Sequence, residues 1–191
     1  MKALEEKILQ EGTVLPGHIL KVGSFLNQQL DVAFLMEMGE EIARLFKDSG
    51  VTKVLTIEAS GIAIAVAAAA ALKTPAVFAK KHKTGNVSGD VLTTSVHSYT
   101  HNTDYEIMVS REYIAPTDRV LLVDDFLANG KALCGLAELV KQAGAETVGA
   151  AVAIEKGFQQ GGDALRATGL RVESLAIVES MSDSSLTFRA Q

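Results

Sequence analysis

VLLVDDFLANGKA, residues 120 to 132, joins an apolar run to an acidic pair and then to a loop of small residues. Val120, Leu121, Leu122 and Val123 form the run expected of a strand buried on both faces of a parallel sheet. Asp124 and Asp125 follow at once, so the strand is expected to end in charge. Phe126 and Leu127 come next, then Ala128, Asn129 and Gly130. A helical pattern begins near Lys131, with Leu133, Leu136, Leu139 and Val140 on one side. Small residues let backbone N–H groups approach an anion closely. The unpaired amides and positive dipole end of the following helix favour a phosphate there. If the strand persists, the side chains of Asp124 and Asp125 alternate in direction. At least one then faces the crevice at the strand's carboxyl end, where open α/β sheets bind ligands. Acceptors there suit sugar hydroxyls or a hydrated Mg²⁺. Other acidic strands fit less well. A nucleotide hydrolase would need a G-x-x-x-x-G-K-[ST] loop, which is absent, and receiver domains usually carry their acidic pair near the first strand.

Working outward, the pattern predicts a helix over Met1 to Glu11, stopped by Gly12. Thr13 to Leu30 carries Pro16, Gly17 and Gly23 without a sustained period, and reads as an extended or looping lid containing His18, Leu20 and Asn27. Asp31 can cap a helix running to about Lys47. Val51 to Ile57 reads as a strand, and Glu58, Ala59, Ser60 and Gly61 as a compact turn into the Ala-rich helix Ile62 to Leu72. Strand, turn and helix thus repeat the logic of residues 120 to 132. Ala76 to Ala79 is a third strand, ending in Lys80, Lys81, His82 and Lys83. Thr84 to Thr103 is polar and reads as a long loop, with Val91 to Val96 able to pair with Tyr105 to Val109 as a hairpin. Thr147 to Ile154 is a further strand, and Val172 to Val178 the last. This alternation predicts an α/β chain: a three-layer, mostly parallel twisted sheet flanked by helices, with right-handed crossovers. No repeat or linker divides residues 1–191, so a single domain is expected.

With 191 residues, 48% of them hydrophobic, the chain is long enough for a substantial core. No apolar segment is long enough to span a membrane, and the N-terminus lacks a signal peptide's apolar centre, so a cytoplasmic location is expected. The net charge of −5 argues against nucleic acid as a partner. The one cysteine, Cys134, rules out an internal disulfide and is expected as a small buried core residue. His97 and His101 lack spaced partners for metal binding.

Residues 120 to 132 closely resemble the PRPP-binding motif of the type I phosphoribosyltransferases, PRPP being 5-phosphoribosyl 1-diphosphate. The order of the other segments resembles the family's from the lid to the last strand. The likeness is nearest to its xanthine-using branch, in the DDFLANG loop and in the IEK segment ending at Lys156. The resemblance implies the type I fold with a base-covering hood from residues 1–30. It also implies transfer of a phosphoribosyl group from PRPP to xanthine, with pyrophosphate released. By the same resemblance, Asp124 and Asp125 hold the ribose hydroxyls, while Ala128, Asn129, Gly130, Lys131 and Ala132 bind the 5′-phosphate. Ala59, Ser60, Gly61 and Lys81 take the pyrophosphate end, and Mg²⁺ enters mainly with PRPP, with Asp124 or Asp125 reaching it through water. Ser98 and Tyr99 belong to a loop that closes over the site, which excludes the water that would hydrolyse PRPP. Lys156 donates to the purine's exocyclic oxygen, and Leu20 and Asn27 face the base. The resemblance also implies a homodimer.

Hypoxanthine-guanine relatives carry a third acidic residue where Ala128 stands. Its absence fits an acidic purine such as xanthine, which supplies its own anion near neutral pH. Two alternatives remain: a hypoxanthine-guanine phosphoribosyltransferase, and a PRPP-sensing regulator that binds DNA. The regulator is disfavoured because the residues before Val51 are not notably basic.

Overall fold

The computed structural model describes residues 1–81, 89–98 and 103–190, with the backbone alone at 97, 98, 103 and 104. Helix α1 (Lys2–Glu11) leads into an antiparallel hairpin, β1 (Thr13–Leu15) and β2 (Ile19–Lys21). A π-helical turn, Gly23–Asn27, buries Phe25 and Leu26. Helix α2 (Val32–Leu45) is capped by Asp31, whose carboxylate accepts from the Phe34 N–H at 3.1 Å and so satisfies one of the helix's free donors. Lys7 bonds Asp31 at 2.8 Å and Glu11 at 2.9 Å while lying over the rings of Phe25 and Phe34. The segment between α1 and α2 is therefore tied to both helices.

Strand β3 (Lys53–Ile57), helix α3 (Gly61–Leu72) and strand β4 (Ala76–Ala79) make one parallel unit. A hairpin, β5 (Val91–Ser98) with β6 (Thr103–Ser110), follows. A second parallel unit comprises β7 (Arg119–Leu127), α4 (Lys131–Ala143) and β8 (Glu146–Lys156). Short helix α5 (Gly161–Ala167) leads to β9 (Val172–Met181) and an antiparallel edge strand, β10 (Leu186–Phe188). The six-stranded sheet runs β10-β9-β8-β7-β3-β4. From the adjacent pair β3 and β7, the chain steps outward to β4 on one side and to β8 on the other. The carboxyl ends of β3 and β7 therefore flank a topological switch point, where such sheets open a ligand crevice.

Val120 to Val123 are fully buried, each contributing about 1.5–3 kcal/mol. Leu121 and Val123 pack on the side of α1, α2 and α3, and Val120 and Leu122 on the side of α4 and the β5–β6 hairpin. Helix α3 (GIAIAVAAAAAL) is rich in Ala where α2 lies close: a Cβ on Gly39 would sit 2.5 Å from the Ala67 carbonyl.

Several expectations need correction. Strand β7 does not stop at the acidic pair; Asp124 and Phe126 stay in register with Val152 and Ile154 of β8, because the backbone ladder is indifferent to side-chain charge. The alternation does reverse across the pair, with Phe126 on the α3 side and Leu127 on the α4 side. The supposed loop of residues 84–103 includes strand β5, so the hairpin is longer than expected. Strand β9 is not last, since β10 covers its edge. Cys134 is exposed rather than buried: it shares the outer stripe of α4 with Lys131, Glu138 and Lys141, while Leu133, Leu136 and Val140 turn inward. Among the described residues, no helix is long and apolar enough to cross a membrane.

Candidate active site

Asp124 and Asp125 sit in the switch-point crevice, only 6% and 7% exposed. The Asp125 N–H donates to Asp124 Oδ1 at 3.0 Å. Burial, and after it the charge of Asp125, pushes the Asp124 carboxyl well above the usual carboxylate range, with Lys81 acting the other way. The two side chains have different neighbours. Asp124 faces the turn after β3, where a Cβ on Gly61 would lie 2.9 Å from Asp124 Oδ1 and 2.3 Å from Thr56 Oγ1. Only glycine fits there without something moving. The Thr56 hydroxyl is buried and has no hydrogen-bond partner among the described residues. Asp125 faces the hood, with Asn27 Nδ2 donating to its Oδ2 at 3.5 Å, the outer limit of a hydrogen bond.

The turn of residues 58–61 is fastened to β4. The Glu58 N–H donates to the Ala79 carbonyl at 3.0 Å, and Glu58 Oε1 accepts from the Lys81 N–H at 2.6 Å. The Glu58–Ala59 peptide is cis. Lys81 Nζ lies 5.4 Å from the centre of the Tyr105 ring. Burial raises the Tyr105 phenol above its ordinary range, and the charge of Asp124 adds to this. Lys81, Tyr105 and Asp124 thus share one electrostatic neighbourhood beside the turn.

The loop after β7 opens α4. Gly130 adopts φ +80°, a conformation that a Cβ disfavours, and caps the helix. Asn129 Oδ1 accepts from the Lys131 N–H at 3.1 Å, so this amide, the kind an anion takes, is held by a side chain. Asn129 and Lys131 are exposed and Ala128 and Ala132 half-buried, which leaves the loop open to a ligand.

At the end of β8, Lys156 Nζ donates to the His18 carbonyl at 2.9 Å and lies 5.8 Å from the Phe126 ring centre. Burial lowers its pKa from the ordinary lysine range. The His18 ring is 5.3 Å from Phe158. Leu20 is buried with Val22, Phe25 and Leu26 in the hood's apolar underside. The hood therefore touches both ends of the crevice, at Asp125 through Asn27 and at Lys156 through His18.

The structure thus gathers the acidic pair, residues 58–61, Lys81, residues 128–132, Asn27 and Lys156 around one crevice. Leu20 joins them through packing. Ser98 is placed as the last residue of β5 by its backbone alone, and Tyr99 lies outside the described residues, as do His82, Lys83 and His101. Thr56, Tyr105, Phe126 and His18 also belong to this neighbourhood and were not singled out from the sequence as site residues. A lone hydroxyl in the apolar run VLTI was the available signal for Thr56. Among the described residues, no three His, Cys, Asp or Glu side chains converge as a metal site. The oxygen chemistry of the acidic pair fits a hydrated Mg²⁺ that brings its remaining ligands from phosphates.

A family model described as a phosphoribosyl transferase domain matches residues 27–174. The xanthine phosphoribosyltransferase of Clostridioides difficile is 52% identical over 190 residues, covering 99% of this chain and 100% of that protein. That of Limosilactobacillus fermentum is 51% identical over 189 residues, covering 99% and 97%. Among solved structures, the Giardia lamblia adenine phosphoribosyltransferase complexed with 9-deazaadenine matches with a TM-score of 0.78 at 25% identity, covering 93% of this chain and 98% of that one. The Rhodothermus marinus adenine phosphoribosyltransferase matches with a TM-score of 0.74 at 26% identity, covering 93% and 100%.

Proposed function

Because the chain belongs to the phosphoribosyl transferase domain family, we infer that it is a xanthine phosphoribosyltransferase, moving the 5-phosphoribosyl group of PRPP to xanthine and releasing pyrophosphate. The observation that carries the choice of an oxopurine over an aminopurine is Lys156, and the relatives' use of xanthine supports that base among the oxopurines. Its ammonium group, half-buried beside Phe126, reaches the hood across the crevice. A cation donates hydrogen bonds and accepts none, so it suits the exocyclic oxygen of an oxopurine and opposes an exocyclic amine. Adenine enzymes share the fold, and the fold alone does not select the base.

Each group has a task set by where charge develops. Backbone amides of residues 128–132 take the 5′-phosphate at the start of α4. Asp124 and Asp125 accept from the ribose hydroxyls. Burial disfavours the charged form of Asp124, and positive charge developing on the ribose ring favours it, so the carboxylate is strengthened as the bond to pyrophosphate breaks. Ala59, Ser60, Gly61 and Lys81 receive the departing pyrophosphate. Mg²⁺ bound with PRPP supplies neutralisation of its charge. Leu20, Asn27 and Lys156 hold the base, and Ser98 and Tyr99 are the proposed closing loop. Ala128 offers no base for the purine proton, so xanthine enters as its own anion. A cytoplasmic homodimer is part of this reading.

Steady-state kinetics with xanthine, guanine, hypoxanthine and adenine test it. Xanthine is expected to have the highest kcat/KM. A higher value for any of the other three would overturn the assignment of base while leaving transfer from PRPP intact.

A further inference from the structure

The least exposed acid among the described residues has no part in the transfer described above. Glu155 is fully buried immediately before Lys156. Its carboxylate accepts from Arg166 Nη1 at 3.0 Å and Nη2 at 2.7 Å, and from the Ser174 hydroxyl. Burial alone would raise the carboxyl, but these donors outweigh it and hold Glu155 below the usual carboxylate range. Arg166 Nε also donates to the Val172 carbonyl at 3.2 Å. Helix α5 is thereby clamped onto the ends of β8 and β9.

Two consecutive glycines of α5 connect this clamp to the phosphate loop. A Cβ on Gly162 would lie 2.0 Å from Glu155 Oε1 and 2.7 Å from Arg166 Nη1. A Cβ on Gly161 would lie 2.2 Å from the Ala128 carbonyl oxygen, 2.5 Å from Asn129 C and 2.7 Å from Gly130 N. The Gly161 N–H also donates to the Ala128 carbonyl at 3.2 Å. One residue thus rests against the ion pair of buried Glu155 with half-buried Arg166, and its neighbour against the backbone that receives the 5′-phosphate. On the other side, Glu155 is covalently joined to Lys156.

We propose that Glu155 and Arg166 are positioning residues: through Gly161 and Gly162 the ion pair sets the height of the phosphate loop, and through the chain it sets Lys156, fixing the distance between the donor's phosphate and the base. The pair touches no substrate. The proposal rests on residues 128–132 being the phosphate site, as in the function inferred above.

The test is direct PRPP binding by calorimetry with Mg²⁺ present, which does not depend on which purine is used, together with KM for PRPP and kcat for xanthine. Arg166→Ala is expected to raise the Kd for PRPP by about tenfold or more, the scale on which small displacements of binding groups act. Arg166→Lys should recover part of the loss. Arg171→Ala is the control, since Arg171 precedes the same strand but its side chain bonds the Leu45 carbonyl and lies over the Phe46 ring at the end of α2, taking no part in the Glu155–Arg166 contacts. It should lower Tm while leaving Kd within about twofold. Equal shifts in Kd for Arg166→Ala and Arg171→Ala, or an unchanged Kd in folded Arg166→Ala, would overturn the proposal. Should Arg166→Ala not fold, Arg166→Lys and Glu155→Gln decide the matter: unchanged PRPP affinity in both would overturn it. Normal PRPP binding by the unaltered protein without xanthine turnover would instead count against the inferred base.

Discussion

Replacing Gly61 with alanine should displace Asp124 and lower both stability and activity. The new Cβ would lie 2.3 Å from Thr56 Oγ1 and 2.9 Å from Asp124 Oδ1. These fall short of ordinary contact by about an ångström and about half an ångström. Thr56 is buried on a central strand and cannot swing into solvent. Overpacking of this kind costs about 1–3 kcal/mol, and in a chain of this size each kcal/mol moves Tm by about 2–4 °C. A half-ångström shift of a carboxylate facing the reacting sugar is expected to lower kcat/KM for PRPP by about tenfold. The double variant Thr56→Ala/Gly61→Ala separates the two contacts. Because the Thr56 hydroxyl has no partner among the described residues, its removal orphans none of them, and Thr56→Ala alone should cost about 0.5–1.5 kcal/mol. In the double variant the larger clash is gone, so stability should return toward that of Thr56→Ala, with a coupling of about 0.5–3 kcal/mol. Activity should stay low, because the contact with Asp124 persists. Urea unfolding of all four proteins, with kcat/KM measured alongside, gives both numbers. Strictly additive stabilities, or a Gly61→Ala protein as active as the parent, would refute the reasoning.

Asp124→Asn should abolish most activity yet stabilise the empty protein above acidic pH. The folded-state pKa of Asp124 is raised above its ordinary 3.8, so its unfavourable contribution is absent below that value and grows as pH rises toward the folded pKa. The Tm advantage of the variant should therefore widen as the pH rises above 3.8 in thermal melts; a constant difference would show that the carboxyl does not titrate as described. Gly130→Ala forces a Cβ into the left-handed region, costing about 1–2 kcal/mol, and should raise KM for PRPP. An unchanged KM would detach that turn from phosphate binding. Lys156→Ala removes a charged donor worth about 1.5–3 kcal/mol, or about 10–150-fold in kcat/KM for xanthine. PRPP affinity measured by calorimetry should barely change, and equal losses for both substrates would place Lys156 elsewhere in the mechanism.

The crevice was legible in the sequence because its parts are local. An apolar run, two carboxylates and a glycine-containing bend lie within residues 120 to 132, and each has a short-range physical meaning. Strand β3 and the turn of residues 58–61 repeated the pattern, which also made the parallel sheet readable. What escaped depends on contacts made far along the chain. Helix α5 has seven residues, two of them glycine, too few for a periodic apolar stripe, and it is held by Glu155 and Arg166 instead. Strand β10 has three residues and exists through pairing with β9. The continuation of β7 past Asp125 comes from its ladder with β8, which no local reading of charge reveals. Cys134 differs for another reason: its spacing from Lys131, Glu138 and Lys141 puts it on the polar stripe of α4, against the usual burial of a free cysteine.

A crystal structure of the protein with PRPP and Mg²⁺ tests the central claim most directly. The 5′-phosphate is expected against the backbone amides of residues 128–132, with the ribose hydroxyls on Asp124 and Asp125 and the diphosphate toward Gly61 and Lys81. PRPP seated with its phosphate outside that loop, or with its sugar turned away from both aspartates, would contradict the account.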